Sequence, residues 1–234
     1  MITRIALALA VFSFAFAVTA SAQDADAKQK VAALKSALQK DQAALRKYEW
    51  IETTVVTMKG EEKSREQNRC YYGAEGSLQK VPVSSEQADS GRTPRGIRGK
   101  IVANKKEELS DYMKEAVELL KSYVPPDPAR IQAAVDAGKL AIIPGGSGKP
   151  VKLEFRDYQV QGDTMAVEID FTNNYVLGLA VQSFLGADRD PVSLNVTFNK
   201  LQDGTGYPAQ SALDATAKKL GVTIEKSGYR KTAP

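Results

Sequence analysis

The feature that most constrains this chain is the strict alternation of apolar and polar residues after Val151. In VKLEFR the apolar side is Val151, Leu153 and Phe155; in MAVEIDF it is Met165, Val167, Ile169 and Phe171; in VSLNVTF it is Val192, Leu194, Val196 and Phe198. A period of two places alternate residues on opposite faces of a strand, so one face meets a core and the other meets water. Gly162-Asp163, Asn173-Asn174 and Asp203-Gly204 separate the runs with turn residues, which predicts an antiparallel meander. Between them YVLGLAVQSFL is apolar on both sides. SALDATAKKL has helical composition while GVTIEK reads as a strand; the preceding strands need a continuing neighbour, which predicts a hairpin over Tyr207 to Lys231.

The first half supplies helices and more strand. Val31, Leu34, Leu38 and Leu45 recur at helical spacing between Asp24 and Lys47, with Ala37 and Ala44 on the same side. The β-branched and aromatic stretch from Tyr48 to Val83, broken at Gly60 and Gly76, predicts three antiparallel strands. Leu109, Met113, Val117 and Leu120 form an apolar stripe that Pro125-Pro126 stops. Asp127 is placed to cap a second helix with Pro128 at its first position, Ile131 and Val135 inward, and Gly138 as the left-handed stop. The fold class is therefore α+β: a curved antiparallel sheet, an unclosed half-barrel, packed over a few helices, with a helical insertion at about residues 105–140.

Arg4 precedes an unbroken apolar run from Ile5 to Val18, followed by Ala20, Ser21 and Ala22. A membrane-spanning helix needs roughly 20 apolar residues, and this run is shorter and ends in Ala-x-Ala, so it reads as a secretory signal cleaved between Ala22 and Gln23. About 210 residues then remain, the size of a single domain, with no integral membrane segment expected. The expected location is periplasmic or extracellular.

Several chemistries are excluded by what is missing. There is no histidine, which removes Ser-His-Asp and Cys-His nucleophile systems and the usual zinc sites. Cys70 is the only cysteine, so no intrachain disulfide forms, and it reads as a small half-buried residue in a strand. A formal net charge of +4 on 234 residues gives no nucleic-acid footprint. The most basic local run, with Arg92, Arg95, Arg98 and Lys100 among glycines, could meet lipid phosphates or another polyanion, but a flexible, solvated connector is the favoured reading. PGGSGKP, residues 144–150, suggests a phosphate loop, but Pro150 stands where a hydroxyl is required, Ile143 where the first glycine is required, and a strand follows instead of a helix. Glu168 and Asp170 share a strand face as paired acids of a hydrolase would, yet they lie on its polar side; Asp188 and Asp190 lack the spacing of a calcium loop. No catalytic residue, metal or cofactor is assigned.

The order of these parts is a signal segment, an amphipathic helix running into KYEWIETTVV, hairpins turned at Gly60 and Gly76, a helical insertion, and a meander ending in SGYRK. Over about residues 30 to 230 this layout resembles the LolA/LolB/RseB-like superfamily of bacterial envelope proteins. The resemblance implies an unclosed β-barrel wrapped over helices, with a hydrophobic cavity for acyl chains or lipidated peptides. The expectation for this chain is an exported, non-catalytic binding protein that holds a lipid-like ligand, or a lipidated peptide, in the concave face of the half-barrel. An envelope scaffold that binds a protein partner is the alternative, and a carboxylate-dependent glycan hydrolase a more distant one. The residues expected to line the cavity are Trp50, Val56, Met58, Leu153, Phe155, Met165, Val167, Ile169, Leu194 and Phe198. The long helical segment raises a further possibility, that the protein's own helices fill that space.

Overall fold

A computed structural model describes residues 17–87, 97–146, 148–186 and 189–232. The predicted signal run up to residue 16 lies outside the described residues, as do Arg92, Arg95 and Asp188; Ala22 and Gln23 fall in the first turns of the first helix. Arg98 and Lys100, read as connector, instead lie in the first turn of a helix that starts at Ile97 and not near residue 105.

The elements in order are α1 (Ala17–Leu45), β1 (Tyr48–Met58), β2 (Glu61–Tyr72), β3 (Leu78–Gln87), α2 (Ile97–Tyr123), α3 (Pro128–Asp136), β4 (Leu140–Ile143), β5 (Val151–Arg156), β6 (Thr164–Asp170), β7 (Tyr175–Leu185), β8 (Asp190–Lys200), β9 (Gly206–Ala215) and β10 (Leu220–Lys231). A single 3₁₀ turn, Thr216–Lys218, joins the last two strands, so the predicted hairpin is present. All ten strands form one antiparallel, curved sheet that does not close into a barrel, ordered β3-β2-β1-β10-β9-β8-β7-β6-β5-β4. Local sequence explains the joints. Lys59 and Gly60 both have positive φ, 53° and 82°, the backbone of a two-residue hairpin turn, and Met58 pairs directly with Glu61 across it. Asp127 accepts a hydrogen bond from Ala129 N as the cap of α3, and Gly138 takes φ +67° beyond its end.

The strand order explains the length of the helical insertion. The chain leaves the sheet at β3, one edge, and re-enters at β4, the opposite edge. Nine strand spacings at roughly 4.8 Å separate those edges, about 43 Å along a flat sheet. Helix α2, with 27 residues, spans about 40 Å and packs against β7, β9 and β10 on the way. The insertion is thus the crossover that connects the two edges over the concave face.

The core lies between that face and the three helices. Leu34 of α1, Tyr123 of α2 and Ile131 of α3 are completely buried against Leu153, Phe155 and Met165 of the sheet. The buried stripe of α2 is Tyr112, Ala116, Leu120 and Tyr123, while the predicted Leu109, Met113 and Val117 flank it half-buried. Two tyrosines can occupy this stripe because their hydroxyls find carboxylates: Tyr112 donates to Asp190 at 3.1 Å and Tyr123 to Asp163 at 2.5 Å.

β4 was not predicted; only four residues long, it pairs Leu140 with Phe155 at one edge of the sheet. The glycine-rich run after it is a tight reversal. A Cβ at Gly145 would lie 1.9 Å from the Pro150 carbonyl oxygen, so this glycine is required for backbone close approach, and β5 follows at Val151. Both sheet edges are blunted. β4 is short, and β3 carries Pro82 within a register shift between Gln67 and Asn68 of its neighbour.

Candidate ligand-binding face

On β1 the even-numbered residues Tyr48, Trp50, Glu52, Thr54, Val56 and Met58 share one face. Val56 and Met58 join the main core, whereas Tyr48, Trp50 and Glu52 belong to a different environment on the same face. Strand register explains why. Trp50 stands opposite Cys70 of β2, Cys70 opposite Lys80 of β3, and Glu52 opposite Lys226 of β10. Between the pairs Ile51↔Ser227 and Glu49↔Arg230, β10 carries an extra residue, with Gly228 at φ +63°. That bulge turns Tyr229 onto Trp50, the rings stacked with centroids 5.5 Å apart and planes at 19°. Tyr72 closes on Trp50 from β2 at 5.9 Å, Tyr207 lies 4.4 Å from Tyr229, and Arg46, just past α1, sits 5.9 Å over the Tyr72 ring.

The charges within this aromatic wing are unequal. Glu52 is 4% exposed and receives Lys80 Nζ on one carboxylate oxygen and Lys226 Nζ at 3.8 Å on the other. Two ammonium groups therefore face one carboxylate. Lys226 also lies 5.7 Å over the Trp50 ring, and burial lowers its pKa against the opposing pull of Glu52. Trp50 is 4% exposed, and among the described residues its indole Nε1 is the buried side-chain donor that has no partner. A buried N–H without an acceptor costs free energy and therefore calls for an explanation. Cys70 is completely buried, and burial pushes its thiol up to about 11, with the negative charge of Glu52 adding to the shift; this is an inert packing residue.

The residues expected to line a cavity divide between two regions. Val56, Met58, Leu153, Phe155, Met165, Val167, Ile169, Leu194 and Phe198 are brought together in one buried cluster, covered by α1, α2 and α3. Trp50 stands apart in the aromatic wing. Where α1 meets α3 there is a groove of about 380 Å³ lined by Val31, Ala32 and Val135 with Lys28, Lys35 and Gln132 along it; Lys35 donates to Gln132 at 3.0 Å. Glu52, Lys80, Lys226 and Tyr229 were missed by sequence reasoning. The signal was present: Glu52 interrupts the apolar register of β1, and Lys226 continues the Leu220-Val222-Ile224 register of β10.

The described carboxylates among those considered for catalysis and for calcium are engaged in turns, bound to a tyrosine or exposed to solvent. Asp170 accepts hydrogen bonds from Thr172 N, Asn173 N and Asn173 Nδ2, which hold its pKa below the usual carboxylate range and fix the β6–β7 turn; Glu168 points to solvent. Asp190 accepts from Tyr112. Among the described residues no cluster of three Cys, Asp or Glu is arranged to hold a metal.

Buried tyrosines give the fold a defined alkaline limit. Burial raises Tyr112 and Tyr158 to about 12 and raises Tyr123 and Tyr229 further. A group with a raised folded pKa contributes stability that is complete below its unfolded value, near 10 for tyrosine, and lost as pH rises through the folded value. Urea midpoints should hold up to about pH 10 and fall steeply above it, with the ionisation of the buried Tyr112, Tyr123 and Tyr158 appearing in step with loss of structure. Ionisation of Tyr112, Tyr123 or Tyr158 while the fold persists would contradict this burial.

No family model matches the chain, and no curated protein matches its sequence. Its fold is similar to that of a DUF1329 family protein from Desulfovibrio piger, with a TM-score of 0.36 and 10% identity over 87% of this chain and 93% of that one. It is also similar to a Vibrio parahaemolyticus domain assigned to outer membrane lipoprotein sorting, with a TM-score of 0.35 and 7% identity over 84% of this chain and 91% of that one.

Proposed function

We propose that this chain is an exported, non-catalytic binding protein that holds an apolar, lipid-like ligand against the concave face of its half-barrel, within the bacterial envelope. The observation that supports this most is how the apolar face is covered. Three helices cover an open ten-stranded sheet, with a partly apolar surface groove along the line where α1 meets α3, and among the described residues no second sheet covers it. Helices that pack by side-chain contact can shift as units and uncover such a face, whereas a closed barrel would have to break backbone hydrogen bonds. Each acyl methylene buried there would contribute about 0.8 kcal/mol, enough for a long chain to be held without covalent chemistry. No helix among the described residues is long and apolar enough to cross a membrane.

The test is native mass spectrometry of the chain purified from a bacterial envelope, together with titration by a fluorescent fatty acid. Co-purifying lipid and saturable binding are expected. A clean apo mass and no fluorescence response would remove this reading.

A further inference from the structure

The polarity of the sheet along β1 and β10 changes from one end to the other. From the Met58 and Leu220 end, paired residues on the concave face run through Val56 and Val222 to Ile224, and then become Glu52 with Lys226 and Trp50 with Tyr229. An apolar track thus leads into a pole of aromatic rings and ammonium groups. At that pole Glu52 is opposed by two lysines where one would neutralise it, so a positive charge is left over. The indole N–H of Trp50 is buried with no acceptor among the described residues. An unspent donor beside an excess cation is a site for an anionic oxygen, because charge-assisted hydrogen bonds of that kind are the strong ones. The pole also reaches solvent at the sheet edge: on β3, Lys80 is 35% exposed and Leu78 is 43% exposed.

We infer that the lipid-like ligand is an anionic amphiphile, its head oxygens received by Trp50 Nε1–H and the ammonium groups of Lys226 and Lys80, its aliphatic tail running along β1 and β10 toward Val56 and Ile224. This rests on the reading above that the concave face takes a lipid-like ligand, and adds which head group that ligand carries. A cationic head is disfavoured at this pole, since the carboxylate of Glu52 is already matched twice. A neutral head would satisfy the indole but leave the extra charge without a counterpart. A carboxylate and a phosphate offer the same chemistry here, so both belong in the test.

Trp50 is the sole tryptophan, so its emission reports on the site directly. The whole chain is titrated, below micellar concentrations, with dodecanoate, dodecyl phosphate, dodecyl maltoside and dodecyltrimethylammonium. The anionic compounds should shift the emission and bind at least about tenfold more tightly than the maltoside, with the cationic compound weakest; whichever anion binds more tightly names the head-group source. Lys226→Gln should remove most of that preference and leave maltoside affinity in place. Trp50→Phe keeps a ring without the N–H, and calorimetry should show the anion affinity reduced about threefold or more. It serves as the second variant should Lys226→Gln lose its fold. Equal binding of anionic and neutral compounds would overturn the inference while the lipid-like reading stands, as would a preference that survives in a folded variant. Failure of every dodecyl compound to bind would take down both.

Discussion

Asp163→Ala should lower stability by about 3–4 kcal/mol, read as a fall in the urea midpoint with little change in slope. Asp163 is 1% exposed, and its carboxylate accepts from Tyr158 N at 2.5 Å, Gln159 N at 2.9 Å, Val160 N at 3.1 Å and the Tyr123 hydroxyl at 2.5 Å. Ser183 Oγ lies 2.9 Å from the same hydroxyl. One side chain thus satisfies the β5–β6 turn and fastens the last residue of α2 to the sheet. Removing it strands several donors at once, each costing about 1–3 kcal/mol where water cannot reach. Asp163→Asn retains an acceptor and should cost about half as much. Tyr123→Phe removes a single donor and should cost about 1 kcal/mol. A near-neutral Asp163→Ala would show that α2 is not held to the sheet through this carboxylate.

Phe155→Ala should cost about 3–5 kcal/mol. Phe155 is completely buried, paired with Leu140 on β4 and Met165 on β6, and its ring lies 6.5 Å from that of Tyr158. Truncation loses the transfer free energy of the ring and leaves a void among strands and helices that relax only partly. A folded variant with a loss under about 1 kcal/mol would mean that the helices settle into the vacated space, and hence that the layer over the concave face is loosely packed.

Much of the architecture was legible because its determinants are local. The turns at Lys59-Gly60 and Gly162-Asp163, the cap at Asp127-Pro128 and the stop at Gly138 each require a particular backbone or donor geometry that few residue types supply. Alternation fixed which side of β5, β6 and β8 faces inward. What sequence reasoning could not supply is non-local. Nothing in Tyr48–Met58 specifies β10 as its neighbour, and without that pairing Glu52 and Lys226 are two separate polar residues rather than one cluster. The inward face of α2, predicted on Leu109, Met113, Val117 and Leu120, was placed about a sixth of a turn away, because the burial of Tyr112 and Tyr123 depends on carboxylates far along the chain. β4 was overlooked because four residues, Leu140–Ile143, are too few to show a period.

The seam between β1 and β10 sets an order on assembly. β1, β2 and β3 make one local meander and β4 to β10 another, and among neighbouring strands in the sheet only β1 and β10 join the two. Tyr48 pairs with Lys231, so the two halves can zip together only once the segment through Lys231 is available. Until then β1 waits with one edge unsatisfied. A chain built this way reaches its final topology only when β10 docks between β1 and β9, and β10 acts as the keystone.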